Sequence, residues 1–347
     1  EPLQLVGGEN NAFTTNDITN YYLTLPVENL ETGFWLESDR MLSLAFSDKS
    51  LEVQRNVVIE EFKQRYLNQP YGDVWLLLRP MAYKVHPYMW DTIGKEISHI
   101  ENAKIENVKN FFKKYYCPNN AIMVVAGNVK VEEVKAMAEK WFGSIPKGPE
   151  NKRALPQEPP QTEARYLTVE RNVPVDAIYK AYHMCSRKDK KYYAIDLLSD
   201  ILSQGNSSRL HKTLIKDKKI FSDIHAYVMG DFDEGLFVIS GKLTQGVSME
   251  QADAAILEEL EKLKEDLVTT DELTKVKNKT EATHAFGEEE VLNKTTNLAV
   301  SELLGNANLI NEEVNYYTSV SAEEIRTQAK TIFKNENCST LYYKSKK

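Results

Sequence analysis

Apolar positions along the chain follow two patterns, one with helical spacing and one dense enough for buried strands. Residues 53–72, VQRNVVIEEFKQRYLNQPYG, have helical spacing, which predicts an amphipathic helix that stops at Pro70. The apolar run AIMVVA at 121–126 is typical of a buried strand. The other predicted helices span 30–46, 72–83, 105–116, 131–142, 190–202 and the region after Ser248, and the other predicted strands span 19–26, 165–171, 176–184 and 235–243.

A proline-rich stretch divides this pattern into two parts. Residues 144–165 hold five prolines and few apolar side chains, as expected of an exposed interdomain linker. The element order repeats across it, and residues 108–125 align at a constant offset with residues in the stretch 325–343. The offset pairs Val108 with Ile325, Lys113 with Lys330, Tyr116 with Phe333, Asn120 with Asn337 and Val124 with Leu341. We therefore predict two similar α+β domains, at 1–146 and 166–347, joined by a linker at 147–165.

Composition excludes several function classes. The 347 residues are 42% hydrophobic, which suits folded cores, and the net charge of −8 gives no bulk attraction to nucleic acid or to anionic membranes. No apolar run approaches the roughly 18 residues of a membrane span. The three cysteines form neither a zinc motif nor a disulfide framework, which favours a reducing compartment. We expect a cytoplasmic location, with the periplasm as the alternative if a targeting signal lies upstream of Glu1.

Six stretches follow one another along the chain: GGENNAFTTNDITNYY (7–22), RNVVIEEF (55–62), HPYMWDTIGKEISHI (86–100), FFKKYYCPNNAIMVVAGNV (111–129), WFGSIP (141–146) and GNSSRLHKTL (205–214). Taken in this order, they resemble the pitrilysin/insulinase family of zinc metallopeptidases. One match alone is weak, but the set keeps the family's order and spacing over most of the chain. The resemblance implies an α+β fold of two homologous domains, each a mixed β-sheet with helices packed on one face, joined by the proline-rich linker.

The family's metal site combines an H-x-x-E-H helix with a distal glutamate. Two histidines one turn apart reach one zinc ion, a carboxylate from another helix completes the protein ligands, and the fourth position holds the water that the motif's glutamate deprotonates. The resemblance implies that Glu61 is the distal ligand, whereas an isolated helix glutamate usually faces solvent. Gln54 stands where the family usually has an acidic residue that supports the metal. Arg65, four residues after Glu61, is a candidate to orient or neutralise it.

The remaining zinc ligands are not found in this sequence. None of the six histidines lies in an H-x-x-E-H context; they are His86, His99, His183, His211, His225 and His284. By the family's spacing, the motif belongs upstream of Glu1. We therefore expect the intact protein to bind Zn²⁺, and this chain alone to be inactive because it lacks two ligands and the base. Truncation is the preferred explanation, and an inactive homologue is the alternative.

A second site follows from the resemblance. Asn11, Ala12 and Phe13 match the family's edge strand, which pairs with extended substrate by β-augmentation. The alternative for Asn11 is a turn-forming role at the start of a strand. His86, beside Pro87, is interpreted as a packing or capping residue rather than a metal ligand.

The second domain departs from the family. Active members carry an Arg and a Tyr seven residues apart that bind the substrate backbone and the developing oxyanion. Here those positions hold Ile215 and Ser222, and neither side chain can do this work. Either Arg209 or Tyr227 substitutes from nearby, or another subunit supplies the pair.

These observations favour one function and leave two alternatives. We predict a zinc-dependent endopeptidase acting on unfolded peptides, with an extended peptide as partner, no nucleic acid or membrane, and a homodimer or a heterodimer with a related subunit as a further possibility. The first alternative is a non-catalytic peptide-binding or partner subunit, which Gln54, Ile215 and Ser222 favour. The second is a purely structural subunit, against which Asn11, Ala12 and Glu61 argue.

Overall fold

The strands lie near the start of the chain and in its second half. The computed structural model describes residues 2–346. In this range the strands are β1 (Glu9–Thr14), β2 (Thr19–Thr24), β3 (Arg165–Arg171), β4 (Ala177–Ser186), β5 (Phe221–Met229), β6 (Glu234–Leu243) and β7 (Cys338–Ser345).

Helices fill most of the remaining chain. They are α1 (Pro2–Leu5), α2 (Leu30–Leu42), α3 (Asp48–Phe62), α4 (Val74–Ala82), α5 (Ile97–Glu101), α6 (Ile105–Tyr115), α7 (Val131–Phe142), α8 (Lys191–Ser203), α9 (Met249–Glu265), α10 (Thr270–Gly287), α11 (Val291–Leu303), α12 (Leu309–Ser319) and α13 (Ala322–Ile332). Short 3₁₀ turns occupy Val27–Asn29, Pro87–Met89, Pro118–Asn120 and Asn335–Asn337, and Lys63–Leu67 and His211–Asp217 are π-helical. In the part of the chain that the structure describes, every helix is too short or too polar to cross a membrane.

The helix predictions agree well with the structure, and one strand prediction is wrong. The predicted helix over 131–142 has the bounds of α7, and the predicted strand over 165–171 has the bounds of β3. The helix predicted to stop at Pro70 leaves α-helical geometry after Phe62 and continues as a π-helix to Leu67. Residues 121–126 form no strand, because no neighbouring strand within residues 2–346 offers them a hydrogen-bonded ladder.

The chain forms two compact units. Unit 1 comprises Glu1–Phe62, Thr92–Ala154 and Phe286–Ile310, and unit 2 comprises Lys63–Asp91, Leu155–Ala285 and Asn311–Lys347. The units do not follow the two halves of the chain, because α4 belongs to unit 2 and α11 belongs to unit 1. The domain boundaries at 146 and 166 therefore stay predictions.

Unit 2 is built on a mixed five-stranded sheet in the order β3-β7-β4-β6-β5. Its central strands send alternate side chains to opposite faces, so Ile178 and Tyr182 of β4 join one core while Ala177 and Ala181 join another. Helices α8, α9 and α13 cover the first face, and α4 covers the second. Burial on both faces explains why β4 and β6 read as nearly continuous apolar runs.

Unit 1 has a smaller sheet. Strands β1 and β2 form an antiparallel hairpin, in which Ala12 lies opposite Tyr21. The turn before β1 contains Gly7, whose φ of +74° lies in the region that favours glycine. The rings of Phe34 on α2 and Phe142 on α7 meet edge to face with centroids 6.3 Å apart, which joins these two helices.

The predicted internal repeat is present in the backbone. The shift along the sequence that carries Ile105 onto Ala322 also carries Tyr115 onto Ile332, so α6 and α13 have matching bounds. The same shift superposes the ranges of the 3₁₀ turns Pro118–Asn120 and Asn335–Asn337. The repeat extends further, because this shift brings β2 within β6 and α4 within α11, and makes β1, α2 and α3 overlap β5, α9 and α10. The two halves are therefore homologous, as predicted.

Candidate functional site

Glu61 is the penultimate residue of α3 and is half-buried, whereas Gln54, two turns earlier on the same helix, is exposed. The chain becomes π-helical at Lys63. In a π-helix each backbone hydrogen bond joins residues five apart, instead of the four of an α-helix. Arg65 lies in this π-helical segment and is exposed. The roles of Gln54 and Arg65 stay predictions.

Arg55 anchors the helix that carries Glu61. Its guanidinium donates hydrogen bonds to the carbonyl oxygens of Ile100, Glu101 (2.6 Å) and Ala103 (2.8 Å), at the carboxyl end of α5. A cation at this end of a helix also interacts favourably with the helix dipole. Arg55 thus fixes α3 relative to α5 within unit 1, although sequence reasoning did not single it out.

Unit 2 shows what faces the equivalent helix in the other half of the repeat. The counterpart of α3 is α10, whose Lys279 lies 3.7 Å from Asp200 of α8. Arg209, in the segment that follows α8, makes a two-bonded ion pair with Glu272 at 2.7 and 2.9 Å. Hence α10 packs beside α8 and the segment after it. Within residues 2–346, unit 1 contains no counterpart of α8, so α3 lacks this neighbour.

The residues present do not fit a zinc site. Within residues 2–346 there is no group of three or more His, Cys, Asp or Glu side chains that could hold a metal ion. Two of the histidines contact other groups of the protein: His183 Nε2 lies 2.9 Å from the carbonyl oxygen of Ala82, and His225 lies beside Asp223. Glu61 is therefore the one zinc ligand that the sequence prediction assigns to this chain, and one carboxylate does not hold zinc.

The candidate substrate strand is accessible. All residues of β1 are exposed, and within the described residues β1 pairs only with β2. The side-chain oxygen of Asn11 accepts a hydrogen bond from the Ala12 N–H at 2.8 Å, and Phe13 is 40% exposed. An exposed, singly paired strand has the geometry that β-augmentation needs, although Asn11 itself binds its own strand.

The second-domain positions have structural roles. Ile215 packs against the core of unit 2, and the Ser222 hydroxyl donates to the Lys242 carbonyl oxygen at 3.2 Å. Arg209 is held by Glu272, and Tyr227 packs against the second core, where burial raises its pKa to about 12. Neither Arg209 nor Tyr227 can replace the Arg and Tyr of active family members unless it first loses these contacts.

The capping role predicted for His86 agrees with its contacts. Its buried ring accepts a hydrogen bond from the Tyr88 N–H at the start of the 3₁₀ turn, and its Nε2 lies 3.2 Å from Asp233 Oδ2. A histidine with both ring nitrogens engaged within the protein serves packing.

Sequence reasoning missed a buried carboxylate in the linker. Glu158 accepts backbone hydrogen bonds from Lys84, Val85 and His86 at 2.8–2.9 Å. Burial favours a raised pKa, but the three N–H donors outweigh it and lower the pKa of Glu158. The prolines and exposed residues around Glu158 do not indicate its burial. The backbone N–H groups that donate to it could belong to any residue, so the sequence does not mark them.

Comparisons with known proteins agree with the family resemblance and with the fold. A family model described as "Peptidase M16 inactive domain" matches residues 102–280. The zinc protease PqqE of Helicobacter pylori is 33% identical over 274 residues, which cover 78% of this chain and 62% of that protein. The uncharacterized zinc protease YmxG of Bacillus subtilis is 26% identical over 335 residues, covering 96% of this chain and 80% of that protein.

A solved structure extends the match over nearly the whole chain. The crystal structure of a protease from Helicobacter pylori superposes with a TM-score of 0.92 at 28% identity, covering 99% of this chain and 83% of that one. The chain thus spans less than two thirds of the PqqE relative by sequence alignment and most of the solved protease by structure. This chain belongs to the M16 peptidase family, the pitrilysin/insulinase family that its sequence resembles.

Proposed function

We propose that this chain is the greater part of a zinc-dependent endopeptidase acting on unfolded peptides, and that Glu61 is the zinc ligand it contributes. The two histidines and the glutamate base come from polypeptide outside the 347 residues. The observation that carries the proposal is the place of Glu61 on α3. The counterpart helix α10 packs beside α8 in unit 2. In the first half of the repeat, a helix equivalent to α8 would lie beside α3, and the proposal places the H-x-x-E-H motif on that helix.

The names of two relatives support the chemistry, because both are called zinc proteases. The exposed β1 supports an extended peptide as the substrate, since a strand with a free edge binds a peptide backbone without requiring a particular sequence. A homodimer or a heterodimer with a related subunit, and a cytoplasmic location, stay predictions.

The test uses the protein translated from the complete reading frame, including any residues encoded upstream of Glu1. We expect an H-x-x-E-H motif there, one bound zinc per chain, and cleavage of unfolded peptides. Because loss of a residue that merely supports a zinc ligand weakens metal binding by about 10–100-fold, replacing the ligand itself, in Glu61→Gln, should weaken it by more than about 100-fold. Glu60→Gln, at the exposed neighbouring position, is the matched control.

Two results would contradict the proposal. One is a complete reading frame without an H-x-x-E-H motif. The other is a Glu61→Gln protein that keeps the zinc content and affinity of the unsubstituted protein, which would remove Glu61 from the metal site.

We propose a non-catalytic peptide-binding or partner subunit as the second candidate. Ile215 and Ser222 favour it, because both are engaged in packing or in backbone bonding where active members have an Arg and a Tyr. The description of the matching family model as an inactive domain supports it too. It predicts that the complete protein binds an unfolded peptide and leaves it intact by mass spectrometry. Ala12→Pro should abolish this binding, because it removes an N–H from β1.

A further inference from the structure

Arg55 uses all three nitrogens of its guanidinium group. Its Nε donates to Glu52 Oε2 at 3.1 Å, one turn earlier on α3. Its Nη1 donates to the carbonyl oxygens of Ile100 and Glu101, and its Nη2 donates to that of Ala103 at 2.8 Å. A guanidinium is planar and its donors point in fixed directions, so four oxygen partners determine where the group lies. The Arg55 side chain is only 14% exposed, which makes these bonds stronger than they would be in water.

The carbonyl groups that accept from Arg55 lie where a helix ends. A helix leaves its last four carbonyl groups without partners inside the helix, so other donors must supply them. At the end of α5 the Ala103 N–H donates to the Ile100 carbonyl oxygen at 3.3 Å, and Arg55 provides donors for Glu101 and Ala103. Arg55 therefore completes the carboxyl end of α5 while it holds α3, and it joins the two helices at a defined place.

Glu61 has a fixed position relative to this anchor. It follows Arg55 by six residues, and both belong to the α-helical range Asp48–Phe62. The two residues are therefore about 9 Å apart along the helix axis and about 120° apart around it. Phe62, beside Glu61, is 3% exposed and gives α3 a second fixed point. Arg55 thus restrains the helix without occupying the side on which Glu61 lies.

The second half of the repeat fixes its equivalent helix at the same position. Arg55 corresponds to Glu272 on α10, which accepts two hydrogen bonds from Arg209 and one from the Thr269 N–H at 2.9 Å. The charge at this position is reversed, but in both halves a guanidinium joins the helix to a neighbouring segment. Two arrangements of opposite charge at one repeat position indicate that the position serves to fix the helix.

A zinc site is sensitive to small displacements of its ligands. Bonds from zinc to a carboxylate oxygen are about 2.0–2.2 Å long, and a site needs its ligands held within about 0.5 Å of the productive geometry. A side chain that restrains the helix of a ligand therefore changes metal affinity without touching the metal.

We propose that Arg55 is a positioning residue for the zinc site. By joining α3 to the carboxyl end of α5, it sets the place of the Glu61 carboxylate at the metal. This inference rests on the proposed function, because it takes Glu61 as a zinc ligand. Lysine is a poor substitute for Arg55, since an ammonium group keeps the charge but lacks the planar fork that reaches several oxygens at once.

The experiment uses the protein translated from the complete reading frame. We expect Arg55→Gln, which removes the charge and most of the donors, to weaken zinc binding by at least about tenfold in a competition titration with a chelating dye. Arg55→Lys should lie between Arg55→Gln and the unsubstituted protein because it keeps the charge. In the zinc-free protein, hydrogen exchange of the α3 amides should be at least about tenfold faster in Arg55→Gln.

Glu272→Gln is the matched control, because it removes the corresponding anchor from α10. It should speed hydrogen exchange in α10 and leave both the exchange of α3 and the affinity for zinc unchanged. The contrast between Arg55→Gln and Glu272→Gln separates an effect on the position of Glu61 from a general loss of stability.

Three outcomes would overturn the inference and leave the proposed function intact. They are unchanged exchange of α3 in Arg55→Gln, a zinc affinity that falls in Glu61→Gln but not in Arg55→Gln, and an equal fall in zinc affinity in Arg55→Gln and Glu272→Gln. If neither Glu61→Gln nor Arg55→Gln weakens zinc binding, the proposed function fails and this inference fails with it.

Discussion

The two copies of the helix–turn–strand repeat share local structure and differ in everything that depends on neighbours. In each copy an asparagine after the helix donates to the carbonyl oxygen five residues earlier at 2.9 Å: Asn120 to Tyr115, and Asn337 to Ile332. Beyond this point β7 enters the interior of a five-stranded sheet, whereas residues 121–126 form no strand. The helix and its terminating turn are thus specified by nearby residues, while a strand also needs partners.

Burial differs between the copies for the same reason. Ile325 and Ala329 of α13 are fully buried, and their counterparts Val108 and Phe112 on α6 are at most half-buried. The helices themselves have equal lengths. An amphipathic helix therefore forms in both places, and within residues 2–346 it is α13 that packs against the five-stranded sheet and α8.

The largest expected effect comes from truncating a buried side chain in the complete copy. Leu341→Ala removes atoms from a fully buried position in β7, so it should lower the free energy of unfolding by about 3 kcal/mol. Val124→Ala, its counterpart, should cost less than about 1 kcal/mol because Val124 is only half-buried. Urea denaturation of the two variants measures the difference. Equal costs would mean that residues 121–126 are packed as tightly as β7.

An intermediate effect is expected where the repeat reverses charge, since Arg55 on α3 corresponds to Glu272 on α10. Hydrogen bonds from Arg209 lower the pKa of Glu272 to about 2 from its ordinary 4.5. Because the folded state then binds its proton less readily than the unfolded state, this contribution to stability is present above pH 4.5 and is lost as the pH falls toward 2. Glu272→Gln should cost about 1–2 kcal/mol at pH 7.

The pH dependence is the sharper part of this prediction. The destabilisation caused by Glu272→Gln should shrink between pH 4.5 and 2, which denaturation at several pH values measures. Glu323→Gln, at an exposed glutamate that pairs with the half-buried Arg326, is the control and should change the free energy of unfolding little. A cost for Glu272→Gln that is constant with pH would show that the ion pair with Arg209 does not form in solution.

The smallest expected effect concerns the shared asparagine. Asn337 donates to two carbonyl oxygens, those of His183 and Ile332, whereas Asn120 donates to Tyr115. Asn337→Ala should cost about 1–1.5 kcal/mol because it leaves half-buried carbonyl groups without their donor, and Asn120→Ala about 0.5 kcal/mol because water replaces the amide. Thermal unfolding of both variants would refute the comparison if Asn120→Ala proved the more damaging.

Sequence reasoning succeeded for elements whose pattern of apolar and polar residues is set by a short stretch of chain. Helix α7 was predicted with its observed bounds, and the repeat was found from aligned residues such as Asn120 and Asn337. The π-helical segment after Phe62 was not predicted, because a change in hydrogen-bond register leaves no mark in apolar spacing. The prediction of a strand at 121–126 was wrong, because an apolar run indicates that a segment can be buried but does not indicate that a neighbouring strand is present to pair with it.

The candidate site was less accessible to sequence reasoning than the fold. The residue types near Glu61 gave only a resemblance, and the roles of Glu61, Gln54 and Arg65 stay predictions. The anchoring contacts of Arg55 and Glu158 run from a charged side chain to backbone groups distant along the chain. Any residue can supply a backbone carbonyl or N–H, so such contacts have no sequence signature.

The membership of α4 in unit 2 limits how this chain can be divided. A gene cut in the proline-rich segment would give a second fragment that begins near Leu155 and contains all five strands of the sheet, but not the helix that covers one of its faces. The side chains left uncovered would include Leu236, Val238 and Leu341. A fragment with so large an apolar face is prone to aggregate during expression. Residues 63–91 should therefore accompany the second half in any attempt to produce it separately.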